Sequence, residues 1–191
     1  MHDIFLIRHS ITEGNLQKRY IGMTDEPLCE EGILLLKQIR QRRKQKEADH
    51  VYTSPLKRCI ETAKWLYPDL PLTVEEELRE CHFGRFENKN YRDLDGDEAY
   101  QSWIDSNGTL PFPGGEDPKA FKERSVRAFL RIIEEEKKEK IAFVIHGGTI
   151  MSIMEALIQP SKSFYKWYVK NGCGYHLKEE DGTFYLCEKI E

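Results

Sequence analysis

The sequence predicts an α/β protein, a three-layer α/β/α sandwich with a mainly parallel sheet and an antiparallel edge strand. Short, continuous apolar runs, typical of strands buried on both faces, alternate with segments of helical spacing. Near the end of the chain, two segments of alternating character (174–179 and 183–189) flank Asp181-Gly182, a pair typical of hairpin turns. We expect this hairpin to form the antiparallel edge.

Three apolar runs predict the buried strands, at 4–7, 50–53 and 141–145. Each run is followed by a helical pattern, as in a chain that crosses back over a parallel sheet. The apolar positions of the first and the last of these helical patterns are Ile33, Leu36 and Ile39, and Ile150, Ile153, Met154, Leu157 and Ile158.

Two further helix starts are marked by an N-cap residue followed by proline. Ser54-Pro55 predicts a helix that continues to about Tyr67, and Asp117-Pro118 predicts a second one. The residues that trace one face of this second helix are Phe121, Ser125, Ala128, Phe129, Ile132 and Ile133.

The chain has 191 residues, of which 39% are hydrophobic and 32% charged, so we expect one globular domain over 1–191. The stretch at about 78–115 is irregular and rich in aromatic and charged residues. We interpret it as an insertion over the carboxyl edge of the sheet, where it would cover an active site.

The composition of the chain limits which binding partners and which cellular compartment are expected. The formal net charge of −4 argues against a nucleic-acid partner, since phosphate backbones attract clustered basic residues. No run approaches the roughly 20 apolar residues of a membrane span, and the start of the chain lacks a signal-peptide pattern. The five cysteines form no C-x-x-C pair, which is typical of free thiols in the cytoplasm. The oligomeric state stays open, with a homodimer among the alternatives.

The candidate site residues follow the predicted strands. Arg8-His9 ends the first, Arg58 lies in the helix after the second, and His146 ends the third. In parallel α/β sheets, ligands bind at the carboxyl ends of the strands, so these side chains can converge on one cleft. Each residue alone has an ordinary structural interpretation, a surface arginine or a buried histidine, and the spacing alone leaves that alternative open.

Phosphate is the ligand that this combination favours. Arginine binds phosphate oxygens in a bidentate fashion, and Gly147 at a helix start lets backbone approach an anion closely. The chain has no H-E-x-x-H, no clustered aspartates and no P-loop, so we expect neither a metal nor a cofactor.

Hydrolysis of a phosphate monoester without a metal requires a nucleophile, positive charge and an acid for the leaving oxygen. A neutral imidazole can attack phosphorus, while two arginines and a protonated second imidazole hold the phosphoryl oxygens. Glu80, at the base of the irregular insertion, is the candidate acid at the rim of the cleft.

These residues lie in segments that resemble the signatures of the histidine phosphatase superfamily, the phosphoglycerate mutase-like proteins. The family's first motif usually reads R-H-G-x-T/S-x-x-N. The matching segments, in the expected order, are LIRHSITEGN at 6–15, RYIGMTDEPL at 19–28, SPLKRCIETA at 54–63, ECHFGRFE at 80–87, PGGE at 113–116 with Arg124, and VIHGG at 144–148.

The resemblance implies that His9 is the phosphorylated nucleophile and Glu80 the proton donor. It further implies a phosphate pocket of Arg8, Asn15, Arg58 and His146, with Ile21 and Gly22 beside the substrate. Length and the PGGE segment are most similar to the α-ribazole phosphatase and broad-specificity phosphatase branch. α-Ribazole 5′-phosphate, an intermediate of cobalamin biosynthesis, is a substrate implied by that likeness alone.

The chain departs from the family pattern at Ser10, which replaces the usual glycine after the nucleophile. Its hydroxymethyl group is expected on the substrate side, where it would crowd the phosphate or donate a hydrogen bond to it. Asn88 and Asp117 replace a usual glycine and a common serine. These departures leave the identity of the ester open more than the chemistry.

Three functions are therefore considered. The first is a phosphatase for a small phosphorylated metabolite. The second is a phosphoglycerate mutase, which shares the pocket but is typically longer and excludes water with a larger lid. The third is a non-catalytic module that binds a phospho-ligand, with Ser10 as the disabling change.

Overall fold

A computed structural model describes residues 1–42 and 48–191. The strands are β1 (His2–Arg8), β2 (His50–Thr53), β3 (Leu72–Val74), β4 (Lys140–Ile145), β5 (Gly174–Glu180) and β6 (Thr183–Ile190). The helices are α1 (Glu13–Leu16), α2 (Glu30–Arg42), α3 (Lys57–Leu66), α4 (Glu98–Asp105), α5 (Pro118–Glu135) and α6 (Gly147–Leu157). Short 3₁₀ turns cover Glu76–Leu78, Gly84–Phe86 and Phe164–Trp167.

The strands form one six-stranded sheet in the order β3-β2-β4-β1-β5-β6. β3, β2, β4 and β1 run parallel to one another, whereas β5 pairs antiparallel with both β1 and β6. The predicted mainly parallel sheet with an antiparallel edge is thus confirmed. Its hairpin turns at Asp181 and Gly182, whose φ angles of 49° and 78° are those of a tight two-residue turn.

Side chains of the central strands point alternately to the two faces of the sheet, so that helices pack on both faces and form a three-layer structure. Ile4 and Leu6 of β1 pack into a core with α5 and α6, while Phe5 and Ile7 face a second core with α2 and α3. β4 is divided in the same way, with Phe143 in the first core. Since successive side chains of a strand point to opposite faces, a continuous apolar run supplies both cores.

The predicted start of α3 was wrong. Ser54 and Pro55 lie before the helix, which begins at Lys57 after Leu56 as N-cap, and no side chain caps it. The Ser54 hydroxyl contacts the ring of His146 at 2.6 Å and accepts from the N–H of Leu56 at 3.4 Å, so it lies in the turn before the helix. The other predicted start is confirmed, because the Asp117 carboxylate accepts from two backbone N–H groups of α5.

Residues 78–115 contain a 3₁₀ turn and α4, and pack around a small apolar cluster of their own. Cys81, Phe86, Leu94 and Phe112 are buried there, together with Phe121 of α5. β3 at the far edge of the sheet and the short α1 were not predicted, because each is too short to show a period. No helix in the described ranges is long and apolar enough to cross a membrane.

Candidate active site

The carboxyl ends of three neighbouring strands meet at one level of the sheet. Arg8 is in register with Ile145 on β4, and the backbone N–H of His9 donates to the Ile145 carbonyl at 2.9 Å. The N–H of Ser54 donates to Val144 at 3.3 Å. The rings of His9 and His146 consequently meet edge to face, with 5.3 Å between their centroids.

His9 is buried and its tautomer follows from its contacts. Nδ1 lies 2.7 Å from the carbonyl oxygen of Ser10. Because a carbonyl can only accept, Nδ1 carries the proton and Nε2 keeps its lone pair. Burial lowers the pKa of His9 well below its usual value, and the charges of Arg58 and Arg8 lower it further. The ring is therefore neutral at physiological pH, with a nucleophilic nitrogen available.

Arg58, in the first turn of α3, is completely buried. Its Nη1 donates to the carbonyl of Thr24 at 2.8 Å, and its Nη2 donates to those of Gly22 and Ile21 at 2.8 and 3.4 Å. Its Nε is buried and has no hydrogen-bond partner among the described residues.

Arg8 repeats this pattern on the other side. Nη1 donates to the Val169 carbonyl at 2.8 Å, and the guanidinium lies 5.4 Å from the centre of the Tyr168 ring. Its Nε is likewise buried and unpartnered within the described ranges. A Cβ at Gly147 would come within 3.4 Å of that nitrogen, so the start of α6 approaches it closely.

Within the described part of the chain, neither arginine has a carboxylate within 4.0 Å. Buried charges are normally paired, because an unpaired ion loses several kcal/mol of solvation. The buried Arg58 and the half-buried Arg8 each keep a buried Nε–H without a partner among the described residues, and together they form a site suited to an anion.

His146 is the N-cap residue of α6 and is completely buried. Its Nε2 lies 2.6 Å from the Ser54 hydroxyl, and the Cys59 sulfur is 3.5 Å from the same nitrogen. Burial lowers its pKa well below the usual value, and Arg58, His9 and Arg8 act in the same direction. These effects favour the uncharged form of the second imidazole, whereas the protonated form was expected while it holds a phosphoryl group.

Glu80 reaches the same cleft from the segment before the insertion and is also buried. One carboxyl oxygen accepts from the N–H of Cys81 and the other from the N–H of Gly148, both at 3.0 Å. A Cβ at Gly148 would lie only 2.4 Å from Glu80 Oε1, so the glycine permits this approach. Burial raises the pKa of Glu80, against the opposing effects of these two N–H donors and of Arg58 and Arg8.

Ser10 lies in the site, but its hydroxyl is used elsewhere. The side chain is completely buried, and Oγ donates to the carbonyl of Gly32 in α2 at 2.7 Å. Its backbone N–H donates to Thr62 Oγ1 at 2.9 Å. The Ser10 hydroxyl therefore joins the end of β1 to α2 through a hydrogen bond. It was expected instead to crowd the phosphate or to donate to it.

Asn15 forms the capping box of α1 together with Thr12, and it is linked to the backbone of His9 by Asn171. Its Oδ1 accepts from Thr12 N at 3.2 Å and from Asn171 Nδ2 at 3.0 Å, which leaves its own Nδ2 to donate. Asn171 Nδ2 also donates to the carbonyl of His9 at 3.0 Å.

The residues expected beside the substrate contribute mainly backbone. Ile21 is buried, and its carbonyl and that of Gly22 accept from Arg58. A Cβ at Gly22 would lie 1.9 Å from the Cys81 carbonyl oxygen, so this position requires glycine. The start of α6 at Gly147 lies next to Arg8, as described above.

Two features of the site were not predicted from the sequence: Ser54 as a partner of His146, and Asn171. The first was assigned to a helix cap, which is the commoner use of a serine before proline. The second precedes β5, and a strand that runs antiparallel to β1 begins at the edge where β1 ends. Residues just before an antiparallel neighbour are thus a signal that would have placed Asn171 at this edge.

A model of the histidine phosphatase superfamily (branch 1) matches residues 4–189. The adenosylcobalamin/α-ribazole phosphatase of Salmonella typhimurium is 31% identical over 89% of this chain and 87% of its own. The metal-independent phosphoserine phosphatase of Arabidopsis thaliana is 30% identical over 84% of this chain and 71% of its own.

Among solved structures, the α-ribazole phosphatase of Shigella flexneri superposes with a TM-score of 0.87. It is 28% identical and the match covers 99% of this chain and 96% of that one. The fold, the ordered motifs and the near-complete coverage agree, and the chain belongs to the histidine phosphatase superfamily, branch 1.

Proposed function

We propose that this protein is a metal-independent phosphatase that hydrolyses small phosphate monoesters through a phosphohistidine on His9. The observation that carries the proposal is the pair of arginines, Arg58 buried and Arg8 half-buried, beside a neutral imidazole. Each guanidinium has a free Nε–H and no carboxylate partner among the described residues, while His9 presents an unprotonated Nε2. A phosphoryl group supplies the missing negative charge and an electrophilic centre for that nitrogen.

In the first step, the His9 Nε2 lone pair attacks phosphorus in line with the ester oxygen. The P–N bond forms as the P–O bond to the leaving group breaks, and the proton of Glu80 passes to the departing oxygen. Arg8 and Arg58 hold the phosphoryl oxygens, and Asn15 donates from its amide nitrogen. The dianion also favours the protonated form of His146, since an opposite charge raises the pKa of an imidazole.

In the second step, water attacks the phosphohistidine and the P–N bond breaks. Glu80, now a carboxylate, takes a proton from that water. The products are the alcohol and inorganic phosphate, and both His9 and Glu80 return to their starting protonation states. The raised pKa of Glu80 suits this double use, because a carboxyl that titrates nearer neutrality both donates and accepts readily.

The substrate class is proposed from the relatives. Proteins named α-ribazole phosphatase and phosphoserine phosphatase both match this chain over most of its length. We infer that α-ribazole 5′-phosphate is the first ester to test and phosphoserine the second.

A turnover panel tests the proposal. α-Ribazole 5′-phosphate, phosphoserine, sugar phosphates, nucleotides and 3-phosphoglycerate are each assayed for release of inorganic phosphate, with chelator present. We expect at least one ester to be hydrolysed by the wild-type chain and none by His9→Ala. Isomerisation of 3-phosphoglycerate without phosphate release would favour a mutase, and binding without any turnover would favour a non-catalytic module.

A further inference from the structure

Glu87 lies outside the proposed pocket, yet its contacts connect it to Arg58. Its carboxylate accepts from the backbone N–H groups of Gly22, Met23 and Thr24 at 3.2, 2.8 and 3.4 Å. It also accepts from the Thr24 hydroxyl at 2.8 Å and from the N–H of Phe83 at 3.0 Å. Five donors around one carboxylate occupy its acceptor sites, so none is left for a ligand.

The loop of residues 21–24, whose N–H groups point to Glu87, points its carbonyl groups to Arg58 on the other side. The peptide unit between Ile21 and Gly22 donates its N–H to Glu87 and offers its C=O to Arg58. The next unit does the same, with Met23 N–H on Glu87 at 2.8 Å and Gly22 C=O on Arg58 at 2.8 Å. Two peptide dipoles thus lie between an anion and a cation, in the orientation that both charges favour.

Close packing holds the loop in this position. A Cβ at Gly22 would lie 2.4 Å from Glu87 Oε1, as well as against the Cys81 carbonyl. The backbone of Tyr20 pairs with the segment that carries Glu87, since Asn88 N–H donates to the Tyr20 carbonyl at 2.8 Å. The orientation of the buried Arg58 therefore depends on a carboxylate of the 78–115 segment.

From this arrangement we propose that Glu87 is a positioning residue for the phosphate pocket, acting on Arg58 through the backbone of residues 21–24. The proposal rests on the proposed function, because it takes Arg58 as a phosphate-binding group. The Glu87 carboxylate is fully used by donors of residues 22–24 and by Phe83 N–H, so it touches neither the phosphate nor the reacting atoms. Its loss would let the carbonyls reorient and the guanidinium turn away from the anion.

The test is the affinity of the full chain for inorganic phosphate, measured by titration calorimetry in a double-mutant cycle. Glu87→Gln replaces one acceptor oxygen by an N–H₂ donor that faces other donors. We expect the Kd for phosphate to rise at least about tenfold. In an Arg58→Lys background the same change has little further effect, because the side chain through which Glu87 acts is already lost.

Asp97→Asn is the matched control. Asp97 also accepts from backbone N–H groups in the 78–115 segment and pairs with Arg85, but it does not contact residues 21–24. We expect it to lower the melting temperature and to leave the phosphate Kd within about twofold. If it weakened phosphate binding as much as Glu87→Gln, a general loosening of the segment would explain the result and the proposal would fail.

Should Glu87→Gln not fold, Thr24→Val removes one of the five donors with little change of shape. We expect a loss of about threefold in phosphate affinity, again absent in the Arg58→Lys background. Unchanged affinity in the folded variants, or losses that add fully to that of Arg58→Lys, would overturn the proposal. A wild-type chain that binds phosphate but forms no phosphohistidine would refute only the proposed function, whereas one that binds no phosphate would refute both.

Discussion

At the scale of single residues, protonation states distinguish the two groups proposed to react. Burial lowers the pKa of the His9 imidazole and raises that of the Glu80 carboxyl, so each is shifted toward its uncharged form. An uncharged imidazole is a nucleophile and an uncharged carboxyl is an acid. Burial in one cleft therefore favours both the nucleophilic form of His9 and the acidic form of Glu80 that the proposed reaction requires.

The role of Glu80 predicts a dependence on the leaving group. Glu80→Gln keeps the shape of the side chain but has no proton to give to an alkoxide. We expect kcat for an alkyl phosphate to fall by about 10²- to 10⁴-fold. The loss should be far smaller for p-nitrophenyl phosphate, whose leaving group departs as a stable anion. Equal losses on both esters, measured by phosphate release, would show that Glu80 is not the proton donor.

The same pKa shifts predict the pH profile of kcat/KM. Since the pKa of His9 lies below its usual value of about 6.5, His9 stays neutral and active well below that pH. Activity falls on the alkaline side, where Glu80 loses its proton as pH rises through its raised pKa. We expect Glu80→Gln to abolish this alkaline limb. A limb that persists unchanged in the variant would assign it to another group, such as the substrate.

Ser10 gives a prediction about the departure from the family pattern. Ser10→Gly removes a buried hydrogen bond to Gly32 and adds backbone freedom, so we expect unfolding to become easier by about 1–2 kcal/mol. Because the hydroxyl donates away from the imidazole, kcat/KM should change by no more than about threefold. A gain of orders of magnitude would instead identify Ser10 as a disabling residue.

At the scale of elements, the start of α6 connects the fold to the proposed chemistry. β4 delivers His146 to the carboxyl edge of the sheet, and the first turn of the following helix binds Glu80 through Gly148 N–H. A helix N-terminus stabilises negative charge, which suits the carboxylate that remains after Glu80 has donated its proton.

Gly148→Ala tests this element. Alanine favours the helix by about 1 kcal/mol, which offsets the close approach of its methyl to the Phe121 ring at 3.1 Å, so we expect little net change in stability. The added methyl would however lie 2.4 Å from Glu80 Oε1, and the flexible carboxyl is the group that moves. We expect kcat on an alkyl ester to fall at least about tenfold. In a Glu80→Gln background, Gly148→Ala should lower kcat only a little further. A further fall in kcat as large as in the wild-type background would contradict this explanation.

The strands and the longer helices were predictable from sequence because their periods are local. Ile4–Ile7 and Ile141–Ile145 read directly as buried strands, and Asp117 as a helix cap. Ser54 was not predictable, since its choice between a helix N–H and His146 depends on a neighbour 92 positions away. The contacts of Asn171 and Glu87 also join segments far apart in sequence, so a local period does not show which groups these two side chains bind.

At the scale of the whole molecule, the sheet explains why the residues meet. Parallel pairing of β2, β4 and β1 brings Ser54, His146 and His9 to one edge, while the antiparallel β5 brings the segment before it to the same place. The 78–115 segment adds Glu80 and, through Glu87, the loop that carries the carbonyl partners of Arg58. The proposed pocket is thus a product of topology rather than of one local motif.

The proposed mechanism requires that His9 carries the phosphoryl group during turnover. The most direct measurement is a brief incubation of the chain with a ³²P-labelled ester that it hydrolyses, followed by an alkaline quench and peptide mapping. We expect an acid-labile, alkali-stable label on the peptide that contains His9, and no label on His9→Ala. Phosphate release without bound label, or label that survives the His9→Ala change, would contradict it.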